Sequence, residues 1–278
     1  MTQEAREASG MNDQVDPEQA QNGSMTFWEH LNELRSRLVK MILAFIVGSV
    51  IAWWYKEPLL KVITGPFITA WNENELPGVA KLHYPAPASL FIAYIKLSVL
   101  AGLIFALPIM LYQVWAFVAP GLYSREKRFA VPFVGASCGL FALGGYFGFK
   151  VAFPAAFQYL LGFSVPGSPD VSDAGNFAVE PTVMIGDYMD FIIRMLLAFG
   201  AVFELPVLVF FLSVAGIVNH THLIKFARYF IVIAFVLGAI ITPPDPASQL
   251  FLAVPLCLLY VFSIGIAWLF GKRPPRVT

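Results

Sequence analysis

Of the 278 residues, 58% are hydrophobic and 13% charged, against about 45–50% and 25% in a soluble globular domain. The 18 basic and 18 acidic side chains cancel, so no overall polarity points to nucleic acid. The two cysteines, Cys138 and Cys257, both lie inside apolar runs and are too few for a disulfide framework or a zinc site.

That composition excludes an ordinary soluble domain and predicts an all-α polytopic membrane protein, whose length accommodates six spans of about 20 residues. Residues 1–24 are polar and mostly acidic, with Glu4, Glu7, Asp13, Asp16 and Glu18 and no apolar periodicity, the pattern of a disordered tail. No charged n-region and apolar h-region precede the first span, so no signal peptide is expected. At Thr26 the run T-F-W-E fits a capping box, with Glu29 three residues after the cap. Phe27, Leu31, Leu34 and Leu38 then recur at helical spacing and predict an interfacial helix entering the membrane.

Apolar runs at about 38–55, 90–117, 130–153, 188–214, 227–241 and 248–270 predict six spans within a transmembrane domain over 25–271, followed by a short basic terminus at 272–278. Arg35, Arg37 and Lys40 precede span 1, Arg125, Lys127 and Arg128 separate spans 2 and 3, and Lys225 and Arg228 separate spans 4 and 5. Lys272, Arg273 and Arg276 follow span 6. All of these fall on one side. On the other, Lys56, Lys61 and Lys81 are balanced by Glu57, Glu73 and Glu75, and residues 154–187 and 242–247 hold no Lys or Arg. The basic side faces the cytoplasm, so both termini are expected there.

Span 5 is short: the uncharged stretch Tyr229 to Ile241 covers only about 20 Å, against about 30 Å of hydrocarbon. Either the bilayer thins there, or the segment sits against protein, or Lys225 and Arg228 snorkel and lengthen it. Pro108, Pro132, Pro206 and Pro255 inside spans predict bent helices and hence concavities. No internal repeat is visible, which counts against transporter folds built from duplicated halves.

No H-E-x-x-H, G-x-S-x-G, Walker A or Gly-rich dinucleotide motif is present, so neither an enzyme nor a nucleotide or other cofactor is expected. His220 and His222 are two apart, which puts them on different helix faces and argues against a metal site. The residue that stands out is Glu204, well inside span 4. An ionised carboxylate there costs about 2.5–3.5 kcal/mol on insertion scales, so it should face a cavity, meet a buried polar partner, or be protonated. Arg194 has Asp190 at i−4 and Asp187 nearby, which predicts an interfacial ion-pair cluster. By spacing alone Glu33 pairs with Arg37 at i+4, and Glu126 is hemmed in by Arg125, Lys127 and Arg128, so both read as solvated charges. Gly65-Pro66 and the run Thr242-Pro243-Pro244-Asp245-Pro246 read as rigid turns on the outer side, the second a tight hairpin between spans 5 and 6.

Taken together, H-L-N-E-L-R-S-R-L at 30–38, L-P-I-M-L-Y-Q-V-W-A-F-V-A-P-G-L-Y-S-R-E-K-R at 107–128, A-F-G-A-V-F-E-L-P-V at 198–207 and T-P-P-D-P-A-S-Q at 242–249 resemble the TatC family. TatC is the multi-spanning subunit of the twin-arginine protein translocase, and only the acidic tail lies outside the resemblance. It implies six helices in a concave, glove-like arrangement with the last two short. It also implies a receptor in the bacterial inner membrane for the Arg-Arg signal peptides of folded precursors, working in an oligomeric complex with single-span subunits of the TatA and TatB type and driven by the proton gradient. Carried onto this chain, it makes Glu33, Arg35, Phe117 and Glu126 signal-peptide contacts and Glu204 the intramembrane glutamate of the concave face. Pro66, Asp245 and Gln249 become positions for assembly or partner docking.

A carboxylate can accept a planar guanidinium at two points, which lysine cannot reproduce, although the basic neighbours of Glu126 partly oppose the contact. The competing reading is a proton-coupled small-solute transporter that titrates Glu204.

Overall fold

The computed structural model describes residues 27–118, 130–164, 181–242 and 245–271. The acidic tail, the Thr26 cap, the basic loop that holds Glu126 and the terminus 272–278 lie outside the described residues.

In chain order the elements are α1 (Phe27–Trp54), α2 (Lys56–Ile63), α3 (Gly65–Glu73), β1 (Leu82–His83), α4 (Pro87–Val118) and α5 (Ala130–Phe147). A five-residue π turn (Gly148–Ala152) leads into α6 (Phe153–Leu161), followed by β2 (Val183–Met184), α7 (Ile185–Phe203), α8 (Leu205–Val214), α9 (His220–Ile241) and α10 (Pro246–Phe270). Six segments among the described residues are long and apolar enough to cross a bilayer: Leu31–Trp54, Pro87–Phe117, Pro132–Leu161, Ile185–Val214, His220–Ile241 and Pro246–Phe270. An even number of crossings puts the start of α1 and the end of α10 on one face, here called the terminal face. The short helices α2 and α3 and the two-residue parallel ladder pairing Leu82 with Val183 and His83 with Met184 sit on the far face.

Small residues let the long helices approach, since helices in lipid associate by packing and not by leaving water. Between α1 and α4, Gly48 and Gly102 meet so closely that a Cβ on Gly102 would collide with the Ser49 backbone. Where span 3 meets α7, Gly144 of α5 makes room for Phe199 and Phe203, Gly148 of the π turn for Phe199, and Gly200 of α7 for Phe141.

The main core lies toward the far face. There Phe67 of α3, Phe157 of α6 and Tyr188 of α7 pack ring against ring at 5.4 to 6.1 Å, and the Tyr188 hydroxyl donates to the Ile63 carbonyl at 2.6 Å. A buried phenol needs such a partner. A second, smaller core joins α8, α9 and α10, with Phe230 stacked on Tyr260 at 3.9 Å and the Tyr260 hydroxyl donating to the Leu223 carbonyl at 2.8 Å.

Helices α4 and α10 run on through Pro108 and Pro255, and Pro132 falls in the first turn of α5, where its missing N–H is one of the helix's orphan donors in any case. The breaks occur elsewhere. Span 3 carries the π turn ahead of Pro154, and span 4 is interrupted between α7 and α8, with Pro206 in the first turn of the second half. At 22 and 25 residues, α9 and α10 are shorter than the 28-residue α1 and 32-residue α4. The helix of span 5 begins at His220, so Lys225 and Arg228, both exposed, lie on its first three turns and extend it past the uncharged stretch.

Candidate functional site

The close approach of α1 and α4 assembles the first cluster, at the terminal face. Glu33, in the second turn of α1, accepts from Arg37 at i+4, with the acid N-terminal to the base, the favourable order on a helix. The Arg37 guanidinium also reaches across to α4, donating to Gln113 Oε1 at 3.2 Å. Phe117 follows Gln113 by one helical turn and is half-buried, whereas Arg35 is exposed. Glu33, Arg37, Gln113 and Phe117 therefore share one end of the α1/α4 pair, and Glu126 lies outside the described residues. Gln113 carried no sequence signal of its own, because its partner is 76 positions away.

Glu204 sits at the interruption of span 4, closing α7 and opening α8. It meets a polar partner: the Ser137 hydroxyl of α5 hydrogen-bonds its side chain, and Ser137 in turn accepts from Trp115 Nε1 of α4 at 3.0 Å. Trp115 is buried against Phe133 and Phe211, so its N–H has few other places to go. Glu204 Oε1 is buried without a hydrogen-bond partner among the described residues. A tryptophan, a serine and a glutamate from three spans thus form one polar path through the bundle, and it leaves one acceptor unused.

The expected cluster of Asp187, Asp190 and Arg194 does not form. Asp190 pairs instead with Lys96 of α4 at 2.6 Å, and among the described residues neither Asp187 nor Arg194 makes an ion pair. The reason is tertiary: α4 packs beside α7 and brings an ammonium nearer to Asp190 than its own helix neighbour. Lys96 was the residue that hydropathy alone passed over, a single charge inside an otherwise apolar run. The exposed positions of α7 are Asp187, Arg194 and Ala201, with no large apolar side chain among them, whereas α1, α9 and α10 expose many.

Toward the far face, Pro66 is buried in the first turn of α3. Asp245 is the N-cap of α10, its Oδ1 accepting from the Ser248 N–H at 2.7 Å. Gln249, one turn further on, donates from Nε2 to the Phe235 carbonyl of α9 at 2.8 Å and lies over Gly238. Asp245 and Gln249 therefore share the first turns of α10, where one caps the helix and the other ties it to α9.

The model of the family described as Sec-independent protein translocase protein (TatC) matches residues 29–255. The chain is similar to the Sec-independent protein translocase protein TatC of Desulforapulum autotrophicum, 42% identical over 89% of this chain and 86% of that one. It is 36% identical to that of Aquifex aeolicus over 91% of this chain and 99% of that one. Among solved structures, the crystal structure of Twin Arginine Translocase Receptor-TatC superposes with a TM-score of 0.73 at 36% identity, covering 86% of this chain and 98% of that one.

Proposed function

Because the chain belongs to the TatC family, and is therefore a multi-pass, six-span, glove-like component of the Sec-independent, twin-arginine protein translocase and not an enzyme, we propose that it is the translocase's signal-peptide receptor and assembly scaffold. On this reading the terminal face is cytoplasmic, the membrane is the bacterial inner membrane, and Glu33 and Glu126, with Arg35 and Phe117 beside them, read the arginine pair of an incoming precursor. Pro66, Asp245, Gln249 and Glu204 then serve assembly with single-span subunits of the TatA and TatB type in an oligomeric complex that the proton gradient drives.

The observation that carries the proposal is similarity over 86% of the chain, at 36% identity, to the Twin Arginine Translocase Receptor-TatC. Solute transport is not favoured, since the family is one of protein translocases.

Energetics divides the work. Ion pairs at the edge of the bundle that keep contact with water give about 1 kcal/mol each, so two of them select arginine without supplying tight binding. Burial of an apolar signal segment, at about 25 cal/mol per Å², supplies the remainder, and the partly buried Phe191 and Leu197 of α7, on the side of Ala201 and Arg194, offer it apolar surface. The test is crosslinking of an Arg-Arg precursor in native membranes. Glu33→Lys and Glu126→Lys should each abolish the crosslink, and undiminished crosslinking in both variants would overturn the proposal.

A further inference from the structure

The Glu33 carboxylate is already occupied. Arg37 donates to Glu33 Oε1 from both Nε and Nη2, at 2.9 and 2.5 Å, while its Nη1 is held by Gln113 of α4. The two charged side chains are only 19% and 22% exposed. Both contacts fall on the same oxygen, and Oε2 has no partner among the described residues.

We propose that Arg37 is an in-chain stand-in for the arriving arginine: it holds Glu33 at rest, the signal guanidinium displaces it, and Gln113 retains the displaced side chain. This rests on the reading that Glu33 receives a signal arginine.

Charge supports exchange over simple addition. At rest Glu33 and Arg37 cancel, so the site presents no net anion to a cationic peptide, and a second guanidinium on Glu33 would lie beside the first with like charge. Oε2, which carries neither of the Arg37 contacts, is the first foothold for an incoming arginine, and two-point acceptance then requires Arg37 to leave. Gln113 suits a parking position because its amide oxygen accepts a hydrogen bond without adding charge. It is also on another helix, so the contact does not depend on the Glu33 pairing.

The internal competitor is tethered at high effective concentration, so every ligand of the carboxylate meets the same competition. The preference for arginine over lysine rests on the two-point contact, which an ammonium, a point charge without the fork, does not make. The apparent affinity is lowered by the fraction of time that Glu33 is taken.

The experiment measures binding of a fluorescent synthetic peptide, an Arg-Arg pair followed by an apolar signal segment, and of its Lys-Lys counterpart, to the full chain in lipid nanodiscs. Arg37→Gln should bind the Arg-Arg peptide roughly threefold more tightly and should gain by the same factor for Lys-Lys, leaving the ratio between them unchanged. Gln113→Leu should weaken Arg-Arg binding when Arg37 is present and change nothing when Arg37 is Gln. Equal or weaker binding by Arg37→Gln overturns the exchange. Should that variant not fold, Arg37→Lys, which keeps the charge and loses the fork, decides the same question by gain or no gain. Glu33→Gln separates the two layers: if it binds the Arg-Arg peptide as the unaltered chain does, the reading of Glu33 itself falls.

Discussion

Asp245 has one oxygen on the Ser248 N–H and the other buried without a partner among the described residues. Loss of an N-cap oxygen costs about 1 kcal/mol, so Asp245→Ala should lower the midpoint of thermal unfolding in detergent, while Asp245→Asn, which still offers an accepting oxygen, should stay near the unaltered chain. Equal losses in both would show that the charge matters and the cap does not. The cap was legible in Asp245-Pro246 with Ser248 behind it, an N-cap followed by proline at the first helical position. The Glu33–Arg37 pair was legible as well, because its spacing is local. The Trp115–Ser137–Glu204 path was not: it joins three helices, and no periodicity along one strand of sequence reports which faces will meet.

Elements show the same division between local and tertiary causes. The six apolar runs were readable because lipid demands long uninterrupted helices. The shortness of the uncharged part of span 5 was readable from where Arg228 falls, and the helix itself extends back through Lys225 to His220. The interruption of span 4 was signalled by Pro206, and the π turn of span 3 stands ahead of Pro154, a proline just past the apolar run that the sequence marks as that span. The pairing of Asp190 was misassigned, because i−4 spacing proposes Arg194 while the α4/α7 packing supplies Lys96. A charge pair on two different spans is expected to hold them in register. Lys96→Asp or Asp190→Lys alone should therefore reduce the yield of folded protein measured by size-exclusion chromatography, and the double swap should restore much of it. A double variant as poor as either single would show that the contact contributes nothing to α4/α7 packing.

For the whole molecule, hydropathy and the placement of lysine and arginine predict six crossings with both ends on one face, but they do not say which surface meets lipid and which meets another chain. That distinction appears in three dimensions: α9 and α10 present Val232, Ile240, Leu258 and Val261 outward, while the exposed positions of α7 carry Asp187, Arg194 and Ala201. Bare charge and small side chains are a poor face for hydrocarbon and a good one for a neighbouring helix. The central claim, that these helices form a wall holding the signal segment of another chain, is tested most directly by disulfide crosslinking in native membranes. Single cysteines at Ala201 and, as a lipid-facing control, at Val261 would be paired with a cysteine in the apolar segment of an Arg-Arg precursor, in a chain whose Cys138 and Cys257 are replaced by Ser. The account predicts a crosslink at 201 that depends on the arginine pair and none at 261; equal crosslinking at both, or a crosslink at 201 that survives Lys-Lys replacement in the precursor, would contradict it.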